Sequence, residues 1–327
     1  MDDGATGLRN PPQPRPPGPL TGPARRTHYR SNAPHHRRRR ALALLAVTGG
    51  LVLAGVLIFF SGGGAPAQHV PVRGGPGFFG RINTLSGNGP TSFAGVELAA
   101  ENAAINRTLA YTPYVRVAGR EHREIALTFD DGPGPFTPQV LSVLEREGVP
   151  ATFFEVGAEE QYFHASTSEI VARGYAIGDH TESHAPMSKL SKRDQRAQLL
   201  QQVAAVARYG APFPRLFRPP YGLWSRSTLG LLRRYRMLMV LWTVDTSDYR
   251  QPGVSTIVHS AVSGARPGAI ILLHDAGGDR AQTVAALPKI IGTLRHRGYR
   301  FVTVPKLLLD NPAPSNQQIS AIVGAGG

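Results

Sequence analysis

Ile125-Ala126-Leu127-Thr128-Phe129-Asp130-Asp131-Gly132-Pro133 decides the fold. Residues 125–129 alternate in the manner of a buried strand, and the run stops at two adjacent carboxylates on a Gly-Pro turn. Thr137-Pro138 then offers an N-cap and a first-turn proline for a helix through Glu147. The same alternation of strand and helix continues to residue 304. Strand-like runs recur at 151–156, 175–178, 216–217, 237–244, 269–273 and 301–304, and helical stretches at 191–208, 225–235 and 282–297 lie between them. Together with 125–129 this makes about seven strands with helices between. The expected class is therefore α/β with a parallel sheet, and so many βα units suit a barrel-like closure better than a small open sheet.

The rest of the chain bounds the function from outside that segment. Of 327 residues, 41% are hydrophobic, enough for a sizeable core, while 37 Gly and 28 Pro point to unstructured stretches beside it. There is no cysteine, which excludes disulfide scaffolds, Cys-ligated zinc, iron–sulfur centres and cysteine nucleophiles. The net charge of +14 is concentrated at one end, because residues 1–40 hold nine Arg against Asp2 and Asp3. Basic residues elsewhere are scattered and not interleaved with aromatics, so nucleic acid is not an expected partner.

Residues 1–40 form a basic, Pro-rich tail ending in Arg37-Arg38-Arg39-Arg40, and residues 41–60 carry no charge. At 1.5 Å per residue such a stretch spans about 30 Å, a bilayer hydrocarbon core. The expectation is a single transmembrane helix, with the N-terminus cytoplasmic and everything after residue 60 extracellular at the cell membrane. The rival is a secretory signal cleaved near Ala67, where Ala65-Pro66-Ala67 resembles a small-residue site. Residues 61–121 read as a linker containing a short helix at 96–109, residues 122–308 as the main folded domain, and 309–327 as a disordered tail.

In parallel βα folds, functional groups collect at the carboxyl ends of the strands. There the sequence places Asp130-Asp131-Gly132-Pro133, Asp179-His180-Thr181-Glu182-Ser183-His184, Arg218-Pro219-Pro220-Tyr221-Gly222, Trp242-Thr243-Val244-Asp245 with Asp248 beyond, and Leu272-Leu273-His274-Asp275. Each has a bland alternative: an Asp-Gly turn, a chance His pair, a rigid Pro loop. A His and an Asp ending buried strands are harder to explain by packing, since burying them unpartnered costs several kcal/mol. Two His four apart can share a metal if the residues between form a helical turn, but Glu182 is misplaced for a zincin base, which disfavours a metalloprotease. Asp279 and Arg280 follow the last of these strand ends, where they would border a cleft.

The five ordered motifs resemble those of the polysaccharide deacetylase family, the NodB homology domain of carbohydrate esterase family 4, across residues 122–308. The resemblance implies a distorted (β/α) barrel. It also implies a metal held by Asp131, His180 and His184, most simply Zn²⁺ with Co²⁺ or Ni²⁺ possible. It makes Asp130 the general base and His274 the general acid, with Arg218 holding Asp130 and Asp245 pairing with His274. The backbone N–H of Tyr221 would face the oxyanion, and Trp242 and Leu272 would line the acetyl pocket. The fourth motif departs from the family's frequent Asp-Trp, reading Asp248-Tyr249. The implied activity is metal-dependent removal of N-acetyl groups from an acetylated polysaccharide, peptidoglycan first and chitin-like oligomers second. The alternatives are an O-acetyl esterase of the xylan type and a non-catalytic wall-glycan-binding protein.

Overall fold

The computed structural model of the protein describes residues 93–318. In chain order its elements are α1 (Phe93–Leu109), β1 (Tyr114–Val115), β2 (Glu124–Asp130), α2 (Thr137–Glu147), β3 (Thr152–Glu155), α3 (Glu160–Ala172) and β4 (Ala176–Asp179). There follow α4 (Lys192–Ala207), β5 (Leu216–Phe217), α5 (Arg226–Tyr235), β6 (Leu238–Val240), β7 (Val244–Asp245) and α6 (Val254–Gly264). The chain closes with β8 (Ala269–His274), α7 (Ala281–His296), β9 (Arg300–Phe301) and α8 (Val304–Asp310). The strands run in the order β1-β6-β5-β4-β3-β2-β8-β7, with β9 on β2. All of these pairings are parallel. The sheet curls into a half-barrel whose path ends at β1 and β7, and an antiparallel bridge from Val117 to Ala269 ties the chain after β1 to the start of β8.

Strand periodicity sorts the side chains into two layers. On β2, Ile125, Leu127 and Phe129 join Phe153, Ile271 and Leu273 under the helices α2, α6 and α7. Ala126 turns the other way and packs with Phe154, Leu216, Leu238, Val240 and Ile270 inside the curl. Continuing that alternation to the strand ends brings Asp130, His180, Arg218, Trp242 and His274 to the inner face. Gly178 is glycine because the inner layer leaves no room: a Cβ there would fall 2.4 Å from the Phe154 ring.

Several expectations change in detail. The run 237–244 is not one strand but β6 and β7, which pair with different neighbours, β5 and β8. The break occurs where the Val240 and Leu241 carbonyls accept hydrogen bonds from the Arg218 guanidinium instead of from a strand. The expected strand 301–304 is cut to two residues because Thr303 caps α8, accepting from the Lys306 N–H, with Pro305 in the first turn. Thr137 does not cap α2 but is its first residue; its hydroxyl accepts from the Gly134 N–H and donates to Asp275. α2 ends at Gly148, whose φ of 59° closes the helix with N–H bonds to its last turn.

The packed unit also exceeds 122–308 at both ends. α1 is longer than the short helix expected within the linker, and buries Ala104 and Ile105. Residues 311–318 of the expected disordered tail are ordered: Ala313 joins the inner core, and the Gln317 side chain accepts the N–H groups of Arg116 and Val117. The expected membrane span at 41–60 and the tail before it lie outside the described residues. Among those described, no helix is long and apolar enough to cross a membrane.

Asn311 makes the tail part of the fold. It is fully buried, accepts from the His122 N–H at 2.6 Å and donates to Glu124 Oε2 at 2.8 Å. Asn311→Ala leaves the buried Glu124 oxygen short of a donor and should destabilise the protein by about 1–3 kcal/mol. Chemical denaturation checks this; an unchanged midpoint would show that the tail contributes nothing to the folded unit.

Candidate active site

Arg218 is fully buried and occupies the centre of the inner face. Its Nη1 donates to Asp130 Oδ1 at 2.6 Å and to Thr128 Oγ1 at 2.9 Å, and the guanidinium lies 4.1 Å from the centre of the Phe154 ring. Burial pulls its pKa below the ordinary arginine value, against the opposing pull of Asp130. Both partners of this ion pair are out of water, so its value lies in orientation more than in net stability. One oxygen of Asp130 is thereby fixed and the other, Oδ2, faces His180 Nε2 at 3.8 Å.

The expected ligand set converges. Asp131, on a left-handed backbone (φ 74°), His180 and His184 bring one ligand atom each to within 4.8 Å of the others. The turn between the histidines is not helical. Thr181 and His184 both have positive φ, and the loop is held from outside by N–H bonds from Gly157 to Thr181 and from Ala158 to Glu182. His180 Nδ1 lies 2.7 Å from the Arg218 carbonyl, which can only accept, so Nδ1 carries the proton and Nε2 presents a lone pair. His180 Nε2 and His184 Nε2 stand 3.5 and 3.1 Å from Asp131 Oδ1, a buried oxygen that receives no hydrogen bond. Lone pairs brought together this way, from one carboxylate and two imidazoles, suit a divalent cation such as Zn²⁺.

Beside Asp130, at the matching position on β8, His274 completes the arrangement with a different partner from the one expected. Its Nδ1 lies 2.7 Å from Asp248 Oδ1, and its backbone N–H donates to Asp248 Oδ2, which also accepts from Thr283. Asp245 is exposed and uses its carboxylate to accept the Ser247 N–H, so it borders the cavity without meeting His274. The reason is local: Ser247 adopts φ 53°, and that turn sends Asp248, not Asp245, inward. Burial alone would lower the His274 pKa, but Asp248, helped by Asp130 and Asp131, outweighs it and pushes it up to about 9. Asp248 itself is held below the carboxylate range, its burial outweighed by the His274 contact.

The cavity holds about 820 Å³ and is bordered by Tyr221, Trp242, Leu272 and Tyr249 as well as the charged groups. Tyr221 has φ 60° and sets its ring edge-on to His184 at 4.6 Å, while Tyr249 meets His274 edge-on at 5.3 Å. Arg280 also borders the cavity, whereas the Asp279 carboxylate accepts the Ala281 N–H at the start of α7. Thr283 and Asp275 were not among the expected site residues, although Asp275 belongs to the fifth motif. Asp275 is fully buried beneath the Asp130–Asp131 turn, and burial pushes its carboxyl up to about 7.

A carboxylate held by Arg218 and an imidazolium held by Asp248 end neighbouring strands and line one cavity. Such an acid and base, side by side, suit water-driven cleavage of an acyl bond, the chemistry of a hydrolase.

The comparisons agree. Residues 118–240 match the family model for polysaccharide deacetylases. A peptidoglycan-N-acetylglucosamine deacetylase of Bacillus cereus is 40% identical over 187 residues, covering 56% of this chain and 87% of the relative. A chitooligosaccharide deacetylase of Sinorhizobium fredii is 38% identical, covering 61% and 99%. The crystal structure of the Bc1960 peptidoglycan N-acetylglucosamine deacetylase superposes with a TM-score of 0.59 at 34% identity, covering 62% of this chain and 95% of that one. The chain belongs to the polysaccharide deacetylase family.

The charged state of His274 can be tested directly. NMR titration should place its pKa near 9, and Asp248→Asn should bring it down. Because the folded pKa is raised, the stability contributed by this charge is fully present below about 6.5 and lost as pH rises through about 9. A His274 that titrates at its ordinary value would dismiss the Asp248 assignment.

Proposed function

We propose that the protein removes N-acetyl groups from a cell-wall polysaccharide, releasing acetate and leaving a free amine, with peptidoglycan N-acetylglucosamine as the first substrate class and chitin-like oligomers second. The observation that carries this reading is the pairing of Asp130, oriented by Arg218, with His274, oriented by Asp248, side by side at the ends of the neighbouring strands β2 and β8 and lining one cavity. The names of the relatives supply the substrate class.

Asp131, His180 and His184 would hold the divalent metal. When bound, that ion supplies Lewis acidity for the attacking water and the acetyl carbonyl. Asp130 receives a proton from water as the oxygen–carbon bond forms, using the oxygen that Arg218 leaves free. His274 keeps Nδ1 on Asp248 and so offers its Nε2 proton to the leaving nitrogen as the carbon–nitrogen bond breaks. Protons balance: one reaches Asp130, one leaves His274, and solvent exchange resets both. The backbone N–H of Tyr221 would meet the developing oxyanion, and Trp242 and Leu272, which also line the cavity, would close on the acetyl methyl.

The non-catalytic alternative has a concrete counterpart, since a family pseudoenzyme from Bacillus anthracis superposes with a TM-score of 0.57 at 26% identity. Here the expected base, acid and ligand positions are all filled, which favours the enzyme. We further propose that residues 41–60 anchor the chain with its catalytic domain outside the cell; fractionation that leaves the full-length chain in neither membrane nor medium would reject this.

The deciding measurement is acetate release by the full-length protein from peptidoglycan, chitooligosaccharide and acetylxylan, with chelator and after zinc is restored. Metal-dependent acetate from an N-acetyl polymer is expected, and Asp130→Asn or His274→Ala should lower the rate by about two to four orders of magnitude. Release from acetylxylan alone would select the esterase. Undiminished turnover in Asp130→Asn would discard the mechanism.

A further inference from the structure

The cavity wall holds another charged side chain that the chemistry does not use. Arg280 is 3% exposed, and among the described residues its guanidinium meets backbone carbonyls and no carboxylate. Nε donates to the Ala276 carbonyl at 2.7 Å, Nη2 to Gly277 at 2.9 Å and Nη1 to Asp279 at 3.0 Å. Carbonyls so close in sequence would ordinarily repel one another. A planar fork of N–H groups is the side chain that can gather them, and the segment 276–279 is curled around it.

The curl requires backbone that only glycine adopts readily, φ 72° at Gly277 and 136° at Gly278. Gly278 lies over the guanidinium, where a Cβ would be 3.6 Å from Nη2. Gly277 faces the opposite way. A Cβ built on it would fall 2.3 Å from Asp131 Oδ2, so its bare Cα is seated against the oxygen of Asp131 that is turned away from the histidines.

We propose that Arg280 is a positioning residue for the three-donor cluster: by gathering the carbonyls of 276–279 it keeps Gly277 against Asp131 Oδ2, so that Oδ1 stays turned toward His180 and His184. This rests on the reading of those three residues as metal ligands. It also carries a sign that separates it from plain electrostatics. A fixed cation beside a cation site repels the ion, so by charge alone removing Arg280 would tighten metal binding. Loss of the clasp frees the Asp131 carboxylate to rotate and weakens it.

Zinc affinity of the full-length protein, measured by competition with a chromophoric chelator, reads this without turnover. Arg280→Ala should weaken binding by about tenfold or more, the range typical of lost outer support for a ligand. Arg280→Lys keeps the charge but cannot span the carbonyls and should fall close to Arg280→Ala. Millimolar guanidinium should restore the alanine variant. Gly277→Ala, which leaves Arg280 intact, should weaken binding independently, and thermal unfolding of the zinc-free proteins reports whether each variant is folded. Unchanged or tighter binding in folded Arg280→Ala, with Asp131→Asn impaired, overturns the role of Arg280 alone. A wild type that binds no zinc, or an Asp131→Asn that binds like wild type, overturns the metal reading and this inference with it.

Discussion

The contact on which the rest of the molecule depends is the buried ion pair between Arg218 and Asp130. A guanidinium taken wholly out of water must find acceptors on every side, and here they come from different parts of the sheet: Asp130 and Thr128 on β2, and the carbonyls where β6 ends. The same residue's own carbonyl takes the Nδ1 proton of His180. One position therefore orients Asp130, sets the tautomer of His180 and stops a strand. Its cost in desolvation is offset by geometry that no neutral side chain of similar size would supply.

Much of this was legible because strand alternation is so regular. Once 125–129 is assigned as a strand feeding a helix, Asp130 falls on the inner face and Asp131 begins the loop. The same count brings His180, Arg218, Trp242 and His274 to the inner face from strands far apart in sequence. The motifs were recognisable for a physical reason, since ionisable groups at the ends of apolar runs have few structural uses. Asp131, His180 and His184 lie together, and Arg218 meets Asp130.

What escaped the sequence depends on turns and on long-range partners. Asp245 and Asp248 are equally plausible partners for His274 until the left-handed turn at Ser247 is known. Thr137 looks like a cap because Pro138 follows it, yet Asp275, far along the chain, claims its hydroxyl. The polar composition of 311–318 suggests a solvated tail, but Asn311 and Gln317 are occupied by unpaired N–H groups around β1 and β2 that no local pattern announces. The break within 237–244 has the same origin: a β-prone run is interrupted because a side chain from another strand takes its carbonyls.

The unequal burial of the site residues also bears on how such a protein can decay. His184 and Asp131 sit at the cavity surface, partly exposed and outside the hydrophobic core, so a lineage released from selection for chemistry could lose them and keep its barrel. Arg218 has no such freedom. Losing it strands Asp130 and several backbone carbonyls in the interior, at a cost of about 3–5 kcal/mol in stability. A descendant that has turned from hydrolysis to binding would therefore be expected to retain the arginine as a fossil of the reaction, long after the groups that performed it have changed.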